Sequence, residues 1–485
     1  MLLETTSAQG ALTGARYVAS LSDGREVWLD GERVDVTTHP AFAGVLRELA
    51  RIYDLQHTDE YRDQMTFVSP ETGNRVSWSY LLPYTLDDLL ARRRNSEIWS
   101  EETWGQMGRA PDFCSAITVG IYDFRDELAQ NDPRFGENAV NYHRYAREHD
   151  VCLTHALGDP QIDRTKSPMH DPDMALQVVR ETADGIVVRG AKQLATLAPI
   201  AQEVLVYLSA SFALREERSF VQWFALPMNA PGLKIVCREP LAPRGTGYSH
   251  PFASRFDEQD ALLIFDDVLV PWERVFLLYD GPLARRGLGR IMPWAGYASH
   301  MRFYHRALTT VGVATLIAEA IGIDGQPHVR DKLGEMISYL EMCRLALRGI
   351  EADAAPSPGG LLRPSGSPAF GNFVAQISQR LADILRELGT SGLLMQPSEA
   401  ALANPELRPY LDKYMHGKDL GVAEKSRLFR LGWELCCDSF GMRQELYERL
   451  HRGDLLRNRT NLYLMYDRSR VVERIKQMIA QPLPT

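Results

Sequence analysis

VCLTHALGDPQIDRTKSPMHDPDMALQVVRETADGIVVRGAKQLATLAP, residues 151–199, holds a polar loop followed by the first clear strands of the chain. Leu176, Val178 and Val179 run up to Asp184-Gly185, and Ile186, Val187 and Val188 leave it, the pattern of two strands joined by a tight turn. Ahead of this hairpin, Thr154, His155, Gln161, Asp163, Arg164, Thr165 and Lys166 gather hydrogen-bonding and charged groups in a loop that Pro160 and Pro168 stiffen. On composition alone this is an ordinary surface loop entering a β-domain. The alternative is a loop that holds a polar ligand against a rigid sheet.

Extended periodicity continues outward from the hairpin. EVLVYLSAS, SFVQWFALP, GLKIVCREPL and ALLIFDDVLVP follow, separated by Gly, Pro and acidic turns, and no helix of useful length divides them. Six short strands in sequence predict a barrel-like or sandwiched β-domain rather than a βαβ sheet. Gly245-Thr246-Gly247 lacks the third glycine and the helix of a dinucleotide fingerprint and is read as a loop. On either side the period is helical. AFAGVLRELARIYDLQ, TLDDLLARRRNSEIWSEETW and NAVNYHRYAREHD precede residue 150, and four long segments, beginning at Trp294, Val329, Phe373 and Glu424, follow residue 280. The expected fold is therefore α+β in three parts: an N-terminal helical domain (1–150), a middle β-domain (151–280) and a C-terminal four-helix bundle with a tail (281–485). The Pro/Gly/Ser-rich stretch 354–371 reads as a long interhelix loop.

A formal charge of −9 over 485 residues, with no long Lys/Arg run, argues against a nucleic-acid partner. No apolar run is long enough to span a bilayer, and the first residues lack a basic start followed by an apolar core, so a cytoplasmic protein is expected. The six cysteines are scattered without a C-x-x-C pair and predict neither a zinc ribbon nor a disulfide framework; adjacent Cys436 and Cys437 are expected to diverge on a helix. His300 and His305 are five apart, not the four of a helical metal site, so no metal is expected.

MGRAPDFCSAITVG (107–120) interrupts the N-terminal helices: Pro111 breaks the pattern between Arg109 and Phe113, and breaks of this kind line pockets. Taken with THALGDPQIDR (154–164), GIVVRGAKQLATLAP (185–199), FALPMNAPGLKIVCR (224–238), HPFASRFDEQDALLIFDDVLVPWERVF (250–276) and RQELYERLHRGD (443–454), this stretch resembles the oxygenase component of two-component, flavin-dependent aromatic monooxygenases, the 4-hydroxyphenylacetate 3-monooxygenase family. The resemblance covers nearly the whole chain. It implies an acyl-CoA dehydrogenase-like fold, a homotetramer, reduced FAD delivered by a separate NAD(P)H-dependent flavin reductase, and hydroxylation of a small phenol or similarly electron-rich aromatic by O2.

The resemblance also implies a site. Arg109 and His155 would lie near the phenolic oxygen, with His300, at the start of the first bundle helix, opposite or nearby. Either histidine would take the phenol proton, His155 first. Phe113 and Ser209 would touch substrate. His155, Ala156, Leu157, Gln161, Ile162, Asp163, Arg164, Thr196 and the tail residues Arg452, Gly453, Asp454 and Leu455 would touch FAD, the tail from another subunit. Two positions depart from the family pattern. Phe113 stands where the phenylacetate hydroxylases carry tyrosine, and Leu455 stands where the tail carries proline. An oxygen-independent lyase of the 4-hydroxybutyryl-CoA dehydratase type is the second reading, disfavoured because Cys114 has no partner cysteine at close spacing; a flavin-binding protein without catalysis is the third.

Overall fold

The computed structural model describes residues 9–163, 165, 175–207, 218–242 and 247–481. Four helices carry the N-terminal layer: Pro40–Leu55, Leu86–Glu102, Pro111–Asp123 and Pro133–His149. Their starts are written in the sequence. Thr85 and Asp88 form a reciprocal capping box, Asp132 accepts from the Arg134 backbone N–H, and Pro40, Pro111 and Pro133 occupy first-turn positions where no N–H is needed. The Pro111–Asp123 helix is buried on nearly every side. It lies so close to the long bundle helix that a Cβ on Gly120 would meet Ile291 Cα at 2.8 Å.

The N-terminal segment is not purely helical. Glu26–Leu29 and Glu32–Val34 form a small hairpin, and Glu26–Leu29 then joins the middle sheet in parallel with Leu233–Cys237. Strands of three and four residues are too short for alternation to show against a helical background. The middle region is the sandwiched form of the expectation. One sheet runs, edge to edge, Glu32–Val34, Glu26–Leu29, Leu233–Cys237, Asp260–Pro271, Gly185–Thr196 and Gln177–Glu181. The second runs Val275–Leu278, Gln222–Pro227, Glu203–Val206 and Leu153–Ala156. The two sheets meet through apolar side chains, Phe224 and Phe265 among them, with ring centroids 6.2 Å apart. The predicted hairpin is present, Gln177–Glu181 pairing antiparallel with Gly185–Thr196.

The first bundle helix begins at Gly281 rather than Trp294 and runs to Ala320, carrying Pro293 inside it. Proline removes one helical hydrogen bond and crowds the preceding turn, which is why the expected helix starts after it; here Gly289, one turn earlier, leaves open space. His300 therefore sits in mid-helix, not at a helix start. Pro327–Ala352, Pro368–Leu394 and Val422–Cys436 complete the bundle. The segment expected as one helix to His451 breaks in two, because Asp438 leaves helical geometry and caps Ser439–Leu450 through the Phe440 N–H. At that break Cys437 is no longer helical, and its Sγ comes within 3.6 Å of Cys436 Sγ, so the two thiols converge instead of diverging. Leu455–Met465 and Ser469–Ile479 form the tail.

Candidate active site

Arg109 sits two residues ahead of the proline that opens the Pro111–Asp123 helix, and it is 7% exposed. Its backbone N–H donates to Glu258 Oε1 at 2.5 Å, its Nε–H to His155 Nε2 at 2.7 Å, and its Nη1 to the Gly108 carbonyl at 3.0 Å and to the Tyr447 hydroxyl. Two aromatic rings face the guanidinium carbon, Phe113 at 4.2 Å and Tyr447 at 4.9 Å. Every nitrogen but Nη2 has a partner among the described residues.

His155 lies on Leu153–Ala156, which pairs in parallel with Glu203–Val206. Its Nδ1 is 2.7 Å from the Tyr207 hydroxyl, and its ring centroid is 5.4 Å from that of Phe113. Burial, reinforced by the Arg109 charge, holds its pKa well below the ordinary histidine value, so the ring is neutral at physiological pH.

From Arg109 the network extends in two directions. Toward the bundle, Tyr447 donates to the Gly108 carbonyl at 2.9 Å and stacks on His451 with ring centroids 4.4 Å apart. His451 Nε2 is 3.0 Å from Ser299 Oγ, which also accepts from Arg452 Nη2 at 2.8 Å, and Arg452 Nη1 bonds His300 Nε2. Burial and the charges of Arg452 and Arg302 hold His300 neutral, and burial lowers Arg452 to about 10. His300 Nδ1 and Arg452 Nε are buried without a hydrogen-bond partner among the described residues.

Toward the β-sandwich, Glu258 also accepts from Arg443 at 2.7 Å, and Arg443 bonds Asp260 at 2.6 Å. Asp260 also accepts from the Thr196 hydroxyl at 2.6 Å and from Arg238 Nε at 3.0 Å. Burial alone would raise the Asp260 pKa, but Arg443 and Arg238 overcome it and hold the carboxyl well below the usual range. One continuous set of contacts thus joins Arg109, Phe113, His155, Thr196, His300 and Arg452.

The other expected residues stand apart from it. Ala156 is buried and its carbonyl accepts from the Tyr207 N–H at 3.2 Å; Leu157 is half-buried. Gln161, Ile162 and Asp163 lie exposed along the loop. Gly453 takes a positive φ of 90°, and Asp454 caps the tail helix through the Arg457 N–H at 2.8 Å. Leu455 is then the first helical residue, a place that also suits proline, so this departure leaves the turn intact. Arg164, Ser209 and the Gly245-Thr246 pair lie outside the described residues. Tyr207, Glu258, Asp260, Arg443, Tyr447 and His451 join the site although nothing in their local sequence singles them out. All but Tyr207 fall inside the family-like motifs, so the signal was present but was not divided among individual side chains. A cavity of about 1270 Å³ lined by Arg51, Trp104, Phe252, Leu308 and Leu431 lies elsewhere and contains none of the network residues.

Residues 13–277 match the family described as 4-hydroxyphenylacetate 3-hydroxylase N terminal, and residues 291–480 match its C terminal. The chain is 40% identical over 485 residues to the 4-hydroxyphenylacetate 3-monooxygenase oxygenase component of Thermus thermophilus, covering 98% of each chain. It is 35% identical over 471 residues to the 4-nitrophenol 2-monooxygenase, oxygenase component, of a Rhodococcus species, covering 91% of this chain and 86% of that one. A crystal structure of the oxygenase component of 4-hydroxyphenylacetate 3-monooxygenase, complexed with FAD and 4-hydroxyphenylacetate, is similar with a TM-score of 0.91 at 38% identity, over 97% of this chain and 98% of that one. The expected acyl-CoA dehydrogenase-like fold is thereby met. Agreement along the full length, in both sequence and fold, has one meaning: the chain belongs to the 4-hydroxyphenylacetate 3-hydroxylase family.

Proposed function

We propose that this chain is the oxygenase component of a two-component, FAD-dependent monooxygenase that hydroxylates a phenol or similarly electron-rich aromatic, with O2 as co-substrate and reduced FAD supplied by a separate NAD(P)H-dependent reductase. The carrying observation is Arg109: a buried cation between two aromatic rings, with Nη2 alone lacking a described partner. A free phenol has a pKa of about 10, and a cation beside its oxygen raises the phenolate fraction and with it the electron density of the ring. Arg109 Nη2 is the donor assigned to that oxygen. FAD, when bound, supplies O2 activation and transfer of one oxygen atom. The donor set suits it: Arg452 Nε and His300 Nδ1 are buried donors without described partners, as an anionic or carbonyl-rich cofactor edge requires. Gln161, Ile162, Asp163, Thr196 and the tail from Arg452 to Leu455 are assigned to the same cofactor, and Arg164 and Ser209 keep the cofactor and substrate roles that the resemblance implies.

The expected base role of His155 meets an obstacle. Arg109 Nε–H and Arg452 Nη1–H only donate, so they occupy the lone pairs of His155 Nε2 and His300 Nε2. We therefore assign to the Arg109 charge the binding of the substrate as phenolate, its proton released to bulk water on binding, to His155 the holding of that guanidinium, and to His300 Nδ1–H donation toward a bound oxygen. Reduced FAD, O2 and a panel of free phenols are expected to yield hydroxylated product. Arg109→Ala should lower product formed per flavin oxidised at least tenfold and raise peroxide. Equal coupling in that variant would remove Arg109 from the substrate site, and absence of product with every phenol would defeat the reaction assignment.

Neutral, buried histidines also predict acid sensitivity. His143, His155, His300, His305 and His451 all have folded pKa values below the ordinary one, with burial the largest cause; for His143 and His305 they are about 3 and about 4. The unfolded chain takes up more protons as pH falls below about 6.5, so the stability they contribute is complete above that pH and is lost below it, by up to about 1.4 kcal/mol per pH unit for each histidine. Urea unfolding at pH 7.5 and pH 5.0 measures this. Asp112 and Glu445, raised by burial to about 7, work in the opposite sense over the same window, so the measurement is made in an Asp112→Asn, Glu445→Gln background, where a flat profile would mean that these histidines are charged or exposed.

Phe113 sets the polarity of one wall. It lies 8% exposed against the Arg109 face and offers no hydroxyl. Phe113→Tyr is expected to raise the relative kcat/KM for small hydroxyphenyl acids by up to roughly tenfold, the worth of one neutral hydrogen bond. An unchanged substrate ranking with a lower melting temperature would make the ring a packing element only.

For the assembly we propose a homotetramer. The Leu455–Met465 and Ser469–Ile479 helices bury nothing and expose Tyr463, Leu464, Met465, Ile475, Met478 and Ile479, a face that short helices in water do not sustain alone. Light scattering should report four chains, and a chain ending at Asp454 should report fewer; a tetramer that survives the truncation would free the tail of that role. No helix among the described residues is long and apolar enough to cross a membrane. The scattered spacing of the six cysteines supports a cytoplasmic location, to be checked by cell fractionation.

A further inference from the structure

Tyr207 lies outside every family-like motif, just past the end of the Glu203–Val206 strand and 1% exposed. Its ring sits 5.7 Å from that of His155 and 6.1 Å from that of Trp223, and its hydroxyl is 2.7 Å from His155 Nδ1. On the other side of the imidazole, Arg109 Nε is 2.7 Å from Nε2. An arginine Nε–H has no lone pair to offer, so Nε2 must accept. A neutral imidazole with an accepting Nε2 carries its proton on Nδ1, and the Tyr207 oxygen is the acceptor that this proton meets. No other described group is within hydrogen-bond distance of Nδ1.

We propose that Tyr207 is a positioning residue: by accepting the Nδ1 proton of His155 in a hydrogen bond it keeps the Nε2 lone pair turned to Arg109, and so sets where the guanidinium presents Nη2 to a phenol oxygen. The link to catalysis rests on the monooxygenase reading; the tautomer does not. Without the Tyr207 hydroxyl, an Nδ1–H buried in this wall has no described acceptor. The other tautomer turns an N–H of His155 against the Arg109 Nε–H, two donors facing each other, and Arg109 must then leave its seat between Phe113 and Tyr447. Tyr207→Phe keeps the ring that packs on His155 and Trp223 and removes the hydrogen bond alone.

The test uses the full-length chain in two measurements. Nitrogen-15 spectra of histidine-labelled protein, with His155→Phe to assign the signal, should show Nδ1 protonated in the wild type and a mixed or reversed tautomer in Tyr207→Phe. A wild-type His155 protonated on Nε2, or a pattern unchanged in Tyr207→Phe, overturns the proposal. The second measurement uses 4-nitrophenol as probe, because its phenolate is coloured and the pH at which the bound dye ionises reports the hold of Arg109. Tyr207→Phe should raise that pH by about one unit, a tenfold loss, with FAD affinity unchanged and with no further rise when it is added to His155→Phe. An equal rise in both backgrounds marks Tyr207 as packing and overturns the proposal. Expected nitrogen-15 spectra together with failure of the wild type to bind the dye would support the positioning of His155 and count against the phenol reading.

Discussion

Glu258, 1% exposed, links an N-terminal helix, the β-sandwich and a C-terminal helix at one carboxylate. It accepts from the backbone of Arg109 at the entry to an N-terminal helix and from the side chain of Arg443 on the Ser439–Leu450 helix, while lying itself at the approach to the long sandwich strand. A charge removed from water needs partners that replace its hydration, and removing one partner of such a pair costs about 3–5 kcal/mol. The same arithmetic applies at Asp260, which faces Arg443, Arg238 and Thr196, and at Arg302 with Glu448. Carboxylates and guanidiniums therefore do the joining that apolar contact does elsewhere in the core, and they do so with directional bonds that fix side-chain positions.

That rigidity is what the chemistry needs. Arg109 has its backbone N–H, Nε–H and Nη1 engaged, by Glu258, His155 and Tyr447 from other elements and by the neighbouring Gly108 carbonyl, so on the proposed reading Nη2 meets a ligand oxygen without a rearrangement. The aromatic faces of Phe113 and Tyr447 lower the local polarity, which strengthens the effect of the charge. The histidines contribute as neutral acceptors and donors, because burial beside arginines removes the alternative of a second positive charge.

Much of this was legible before the structure. The switch from helical to alternating periodicity marks the sandwich, Pro111 marks the start of the helix beneath Arg109, and Asp132 and Thr85 mark helix starts in the ordinary way. What escaped has physical causes. Glu26–Leu29 is too short to show a period, yet it pairs in the six-stranded sheet with a partner some two hundred residues away. Pro293 hides the first part of a helix that in fact runs through it. Cys436 and Cys437 converge because a single capping aspartate ends the helix between two helical sequences. In the site, His155 and Arg109 were legible as candidates, but their mutual bond was not. Which lone pair is occupied depends on contacts across the fold, and Tyr207, whose local sequence reads as one more strand residue, decides the proton position.

The bond between Arg109 and Tyr447 spans 338 positions of sequence. During synthesis the arginine leaves the ribosome long before the tyrosine, and for most of that interval it has neither the ring that covers one face nor the Arg443 that shares Glu258. The N-terminal layer must wait with a charged side chain still hydrated, and closure over it comes only when nearly the whole chain has emerged. Assembly of the site is thus tied to completion of the polypeptide, and a chain truncated within the bundle would be left with an open, wet arginine in place of an enclosed one.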